Sequence, residues 1–140
     1  MKVLLAVDGS PYTKKMLAYL TTHDDFIAGT AEFTALTVLP ALPPRARAAV
    51  GKEAVDSYYA EESAKILDPV VKFLERQGLK LKTVSKVGQA GETIAKFADS
   101  GKFDLLMMGS HGNTAFGNLV MGSVATKVLA GCQVPVLLVR

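Results

Sequence analysis

The sequence predicts an α/β domain built on an open, doubly wound parallel sheet of five strands. Three observations lead there. Five short apolar runs alternate with longer amphipathic or polar segments along the 140 residues, the pattern of a parallel sheet wrapped by helices. Several of these runs show no alternation of apolar and polar residues, as strands covered on both faces do. No internal repeat divides the chain, so residues 1–140 are expected to form one domain.

Residues 2–7 (KVLLAV) read as the first strand, stopped by Asp8-Gly9. Ser10-Pro11 marks a helix start, with a hydroxyl at the N-cap and proline at the first helical position. A helix over residues 11–23 places Tyr12, Met16, Tyr19, Leu20 and His23 on one stripe. Residues 32–39 (EFTALTVL), rich in β-branched side chains, form the second strand, ended by Pro40. Residues 41–51 (ALPPRARAAVG), with adjacent prolines and two arginines, are expected to be a mobile loop. Residues 52–77 are helical, with Val55, Tyr59, Ile66, Val70 and Leu74 near one face. Pro69 interrupts this pattern: either the helix kinks, or Asp68 caps a second helix that starts there.

Gly78 serves as a C-terminal cap. Residues 79–87 (LKLKTVSKV) alternate apolar residues with lysine, which marks an edge strand guarded against further pairing. A short helix over residues 91–100 carries Ile94, Phe97 and Ala98, and residues 104–108 (DLLMM) form another doubly buried strand. A glycine-rich loop, a helix over residues 123–130 and a last strand from Val134 to Val139 (VPVLLV) close the chain. The crossovers between parallel strands are right-handed. Pro135 suits an edge. An uncovered apolar edge invites pairing, so a homodimer through this strand is expected.

Composition excludes several classes of function. Hydrophobic residues make up 49% of the chain, yet no run approaches the roughly 18 apolar residues of a membrane span. Asp8-Gly9 breaks the first apolar run too early for a signal peptide. The single Cys132 allows no internal disulfide and suits a reducing, cytoplasmic compartment. Two histidines and one cysteine, far apart, leave little material for a zinc site. The net charge of +3 is spread along the chain and is no nucleic-acid signature.

Ligands of open parallel sheets bind outside the carboxyl ends of the strands, where the winding reverses. Those ends are Asp8-Gly9-Ser10, Val38-Leu39-Pro40, and Met108 with the loop from Gly109 to Gly122. The segment GSHGNTAFGNLVMGSVATKVL is the richest of them. Without a Cβ, Gly109 and Gly112 allow a phosphate chain close to the backbone. Gly122-Ser123 opens a helix, whose unpaired amides and positive dipole end favour an anion. Ser123 is read as both its cap and a hydroxyl donor to phosphate. Gly117-x4-Gly122-Ser123 has P-loop glycine spacing, but serine stands where the lysine belongs, which argues against P-loop chemistry. No G-x-G-x-x-G follows the first strand, which argues against a dinucleotide enzyme.

The spacing Gly109-x2-Gly112-x9-Gly122-Ser123 resembles the ATP-binding signature of the universal stress protein family. The opening LLAVDGS, the stretch DLLMMGSHG, Gly88 followed by Ile94 and Ala98, and the ending PVLLVR look like the same family, in order along the chain. The ending CQVPVLLV departs slightly, since the family tends to place Cys directly before Pro. The resemblance implies a sheet of order 3-2-1-4-5, in the three-layer manner of adenine-nucleotide α-hydrolase-like and flavodoxin-like domains. It implies ATP with Mg²⁺ or Mn²⁺ as ligand and Asp8 near the ribose or the metal. It implies adenine on the backbone of Val38, and Gly109, His111, Gly112, Gly122, Ser123 and Val124 around phosphates and ribose. It also supports the homodimer.

Each residue has a plainer role to weigh. Asp8 is a turn former or a ligand contact, with no partner group nearby in sequence for acid–base catalysis. His111 either faces water or stands beside phosphates. Arg45 and Arg47 are a solvated loop or a lid over phosphates, and His23-Asp24-Asp25 is a polar helix end or a metal site. Lys80, Lys82 and Lys86 are an exposed strand face. Three functions follow: a nucleotide-binding stress-response module with at most slow ATP hydrolysis, an interaction module with unknown protein partners that needs no nucleotide, or a slow nucleotide hydrolase. A phosphorylated receiver domain is excluded, because Asp8 stands without clustered acids and Val87-Gly88 replaces the acceptor Asp.

Overall fold

The computed structural model describes residues 1–23, 25, 29–112 and 121–140. Five strands, β1 (Lys2–Ala6), β2 (Glu32–Leu39), β3 (Leu81–Val87), β4 (Leu105–Gly109) and β5 (Val136–Val139), form one sheet of order β3-β2-β1-β4-β5. All four pairings are parallel, with Leu4 opposite Thr34 on one side and Leu106 on the other. The helices are α1 (Pro11–Thr22), α2 (Pro44–Val50), α3 (Lys52–Arg76), α4 (Ala90–Ser100) and α5 (Ser123–Gly131).

Alternation along the central strands divides the core into two layers. Val3 and Leu5 of β1, with Val7 just past its end, meet Met16, Leu17 and Leu20 of α1 and Leu67, Val70 and Leu74 of α3. Leu4 and Ala6 turn to the other face, against Ile94 and Ala98 of α4 and Ala125 and Val128 of α5. The run KVLLAV lacks alternation for this reason: both of its faces are covered. The winding reverses between β1 and β4, whose following helices lie on opposite faces.

Local details correct several expectations. Residues 44–50 are a two-turn helix inside the predicted loop. Pro44 presets the first turn, RARAAV favours helix, and Gly51 (φ 83°) ends it with its N–H on the Arg47 carbonyl. Pro69 neither splits α3 nor ends it, as one helix runs from Lys52 to Arg76. The buried stripe of α1 is Thr13, Met16, Leu17 and Leu20, turned away from the predicted Tyr12, Tyr19 and His23. His23 is exposed and stacks on Tyr19, with ring centroids 3.9 Å apart. In α3, Ser63 and Leu67 take the buried places expected for Tyr59 and Ile66, and Tyr59 instead accepts the Leu42 N–H through its hydroxyl. In α4, Gly91 and Ala95 are buried and Phe97 is half-buried. β3 and β5 are the sheet edges, as expected.

Candidate functional site

A cleft of about 500 Å³ opens at the carboxyl ends of β1, β2 and β4, where the topology predicts a ligand. Its lining includes Asp8, Val38, Met108, Gly109, His111, Gly112, Gly122, Ser123 and Val124. The structure thus brings together nine residues that the sequence singles out from three separate segments. Gly9 and Ser10 lie outside it and line a groove on the α1 and α3 side. Gly9 makes the turn (φ 76°), and Ser10 caps α1 by accepting the Thr13 N–H.

Asp8 is held by the start of α1. Its Oδ1 accepts from the Ser10 N–H (2.9 Å) and from the Thr13 hydroxyl (2.9 Å), while its own N–H donates to Thr13 Oγ1 (3.1 Å). Its Oδ2 lies towards Gly112, 2.8 Å from where a Cβ on that glycine would stand. A side chain at residue 112 would therefore displace the carboxylate.

The glycine loop is drawn in at its neck. The Ser110 carbonyl accepts the Gly122 N–H at 2.7 Å, and the Ser110 N–H donates to Val139 at the end of β5. A Cβ on Gly122 would sit 3.1 Å from His111 Cα and 3.3 Å from the Ser110 carbonyl. Ser110 is buried and its hydroxyl lies 2.8 Å from His111 Nδ1, so the ring is oriented from behind. On its other side that ring rests near Tyr12, with centroids 4.9 Å apart. Residues 113–120, including Gly117 of the P-loop-like spacing, lie outside the described residues.

The N-cap of helix α5 lies one residue earlier than predicted. Gly122 is the N-cap and Ser123 the first helical residue, so Ser123 cannot cap the helix with its hydroxyl; no side chain caps it. The first-turn amides of Ser123, Val124 and Ala125 therefore meet the cleft uncapped, as an anion requires.

The opposite end of the cleft is apolar: Val7, Val38, Pro40, Ala90 and Ile94. Parity shows how the backbone of Val38 is aimed. The Leu36 carbonyl accepts the Val7 N–H on the β1 side, and the Leu39 carbonyl accepts the Gly88 N–H on the β3 side. Alternation in a parallel ladder then turns the N–H and C=O of Val38 to the β1 side, beyond the last residue of that strand. One donor and one acceptor so point into an apolar slot.

Among the described lining residues only Asp8 and His111 are ionisable. Arg45 and Arg47 do not line the cleft, so the lid reading has no support there. No group of three or more His, Cys, Asp or Glu that could hold a metal occurs among the described residues; Asp24 of the His23-Asp24-Asp25 run lies outside them. Sequence reasoning named Pro40 only as part of the second strand's end, and it missed Thr13 and Ala90. Thr13 carries a legible signal, a hydroxyl three residues after an N-cap serine. Ala90 and Pro40 reach the cleft only through helix packing and strand register.

The model of the universal stress protein family matches residues 1–140. The chain belongs to that family. Universal stress protein Slr1230 of Synechocystis is 34% identical over 139 residues, which cover 99% of this chain and 42% of that relative. Universal stress protein MJ0531 of Methanocaldococcus jannaschii is 30% identical over 141 residues, covering 99% of this chain and 81% of the relative. The chain therefore spans less than half the length of the Synechocystis protein and most of the archaeal one. The solved structure of MJ0577, from the same archaeon, matches with a TM-score of 0.82 at 27% identity, over 99% of this chain and 94% of that one. Universal stress proteins have also been solved with cAMP (21% identity, TM-score 0.68) and, from Archaeoglobus fulgidus, with dAMP (19%, 0.69). A family member from Arabidopsis thaliana has been solved with AMP (16%, 0.68). These three cover 99% or more of this chain and 90% or more of their own; at such identities the likeness is one of fold.

Proposed function

We propose that this universal stress protein binds ATP with Mg²⁺ in the cleft and acts as a nucleotide-dependent regulatory module of the stress response. The observation that carries the reading is the polarity of the cleft. Uncapped amides of α5 and a glycine neck stand at one end, and an apolar slot with the outward N–H and C=O of Val38 at the other. Phosphates suit the first. An adenine ring, with neighbouring acceptor and donor atoms on its edge, suits the second. The volume of about 500 Å³ lies in the range of small-molecule sites, and the solved relatives with AMP, dAMP and cAMP favour the adenine class.

Asp8 fits a role beside the ribose or a phosphate-bound magnesium, since magnesium is held through one or two carboxylates plus phosphate oxygens. Manganese would meet the same donors. Turnover is at most slow: among the described residues no lysine lines the cleft to neutralise the terminal phosphates. The protein acts as a homodimer through β5, whose half-buried residues edge the sheet. The described residues hold no helix long and apolar enough to cross a membrane, and the single Cys132 suits the cytoplasm.

Calorimetric titration with ATP and Mg²⁺, of the native chain and of Gly122→Val, tests the reading. The native chain is expected to bind saturably. The variant, whose side chain meets the backbone of Ser110 and His111, is expected to bind at least about tenfold more weakly. No saturable binding by the native chain overturns the proposal.

A further inference from the structure

Building on the nucleotide reading, we infer that Thr13 is a positioning residue for Asp8: its hydroxyl sets the carboxylate in the orientation that the bound nucleotide meets. Thr13 lies in α1, outside the glycine motif, and is 5% exposed. Its Oγ1 does two things at once, accepting the Asp8 N–H at 3.1 Å and donating to Asp8 Oδ1 at 2.9 Å. A hydroxyl has one proton and two lone pairs, and an ionised carboxylate can only accept, so the proton of Thr13 goes to Oδ1 while a lone pair takes the backbone amide. The Ser10 N–H adds a second donor to the same oxygen. Two donors from different directions on Oδ1 leave the carboxylate little freedom to rotate. They direct Oδ2 to the Gly112 side, where the added Cβ would stand 2.8 Å away.

The fixed plane matters because Asp8 is the one carboxylate lining the cleft among the described residues. A carboxylate that must be oriented on binding loses side-chain entropy at that moment, whereas one held in advance does not. Valine matches threonine in shape but not in hydrogen bonding, so Thr13→Val removes the donor and keeps the packing. Serine keeps the donor.

The test compares native protein, Thr13→Val, Thr13→Ser, Asp8→Ala and the double variant Asp8→Ala/Thr13→Val. ATP–Mg²⁺ affinity is read by calorimetry and folding by thermal melting. Expected results are a loss of roughly 5- to 30-fold for Thr13→Val, corresponding to about 1–2 kcal/mol, and less than about threefold for Thr13→Ser. In the Asp8→Ala background Thr13→Val should cost no further affinity, the non-additivity of residues acting through one another. If Thr13→Val does not fold, Thr13→Ala against Thr13→Ser gives the same contrast. Native affinity in Thr13→Val, or an equal loss with and without Asp8, overturns this inference and leaves the nucleotide reading standing. Absence of binding by the native chain overturns both.

Discussion

Gly109 is read from the sequence as a residue that lets phosphate approach, but the structure shows a steric reason for it that needs no ligand. A Cβ built there would lie 2.5 Å from Tyr12 Cβ, 3.2 Å from the Tyr12 carbonyl carbon and 3.3 Å from the His111 oxygen. Carbon atoms rest at roughly 3.5–4.0 Å, so the overlap with Tyr12 is about 1 Å. No rotamer change relieves it, because a Cβ is placed by its backbone. Either α1 must slide or the end of β4 must bend. Helix α1 is held by Met16, Leu17 and Leu20 in the core and by the Asp8–Thr13 pair at its start. Overpacking of this kind costs about 1–3 kcal/mol, and the smaller entropy of the unfolded alanine chain offsets about 0.4–1 kcal/mol of that. Gly109→Ala is therefore expected to destabilise the ligand-free protein by roughly 1–2 kcal/mol, lowering the melting temperature by roughly 3–8 °C for a chain of this size. Gly131→Ala is the control. It ends α5 with a Cβ at an ordinary 3.5 Å from Ala95 Cβ, and helix propensity predicts a gain of up to about 1 kcal/mol. Differential scanning calorimetry or urea titration without nucleotide reads both. If Gly109→Ala melts with or above the native protein, the close packing of α1 on the end of β4 is refuted.

Two further expectations concern Cys132 and the sheet edge. Burial, the largest cause, pushes the Cys132 thiol above its ordinary value. The native state therefore holds that proton more tightly than the unfolded chain. The stability this lends is fully present below the ordinary thiol range and is lost as pH rises through the raised value. The rate of iodoacetamide alkylation should accordingly rise with a midpoint above the roughly 8.5 of a free cysteine, and a midpoint below that value would refute the assignment. At the edge, Leu106 donates to the Pro135 carbonyl and Ser110 to that of Val139, so Val136 and Leu138 turn their backbone N–H groups outward. Light scattering should report a dimer at micromolar concentration, with amide exchange at those two residues slowing as concentration rises. Exchange there that is indifferent to dilution would count against pairing through β5.

The sequence by itself determined the five strands, four of the helices and their order, because burial on both faces writes uninterrupted apolar runs such as KVLLAV, and turns demand residues such as Asp8-Gly9. It also marked the glycine end of the candidate site: glycine spacing before a helix is a local pattern, and Gly109, Gly112 and Gly122 all line the cleft. Tertiary structure decided what depends on neighbours distant in the chain. Residues 44–50 are a separate case, a local signal that two prolines made read as a loop: RARAAV has the helix propensity and Gly51 the stop. Pro69 could stay inside α3 because packing of Leu67, Val70 and Leu74 on the sheet outweighs one missing hydrogen bond. Only the fold could show that Gly109 faces Tyr12, that Thr13 grips Asp8, and that Ala90, Pro40 and Val38 wall one slot. Those contacts join residues 5 to about 100 positions apart, and no period or spacing encodes a distance in space.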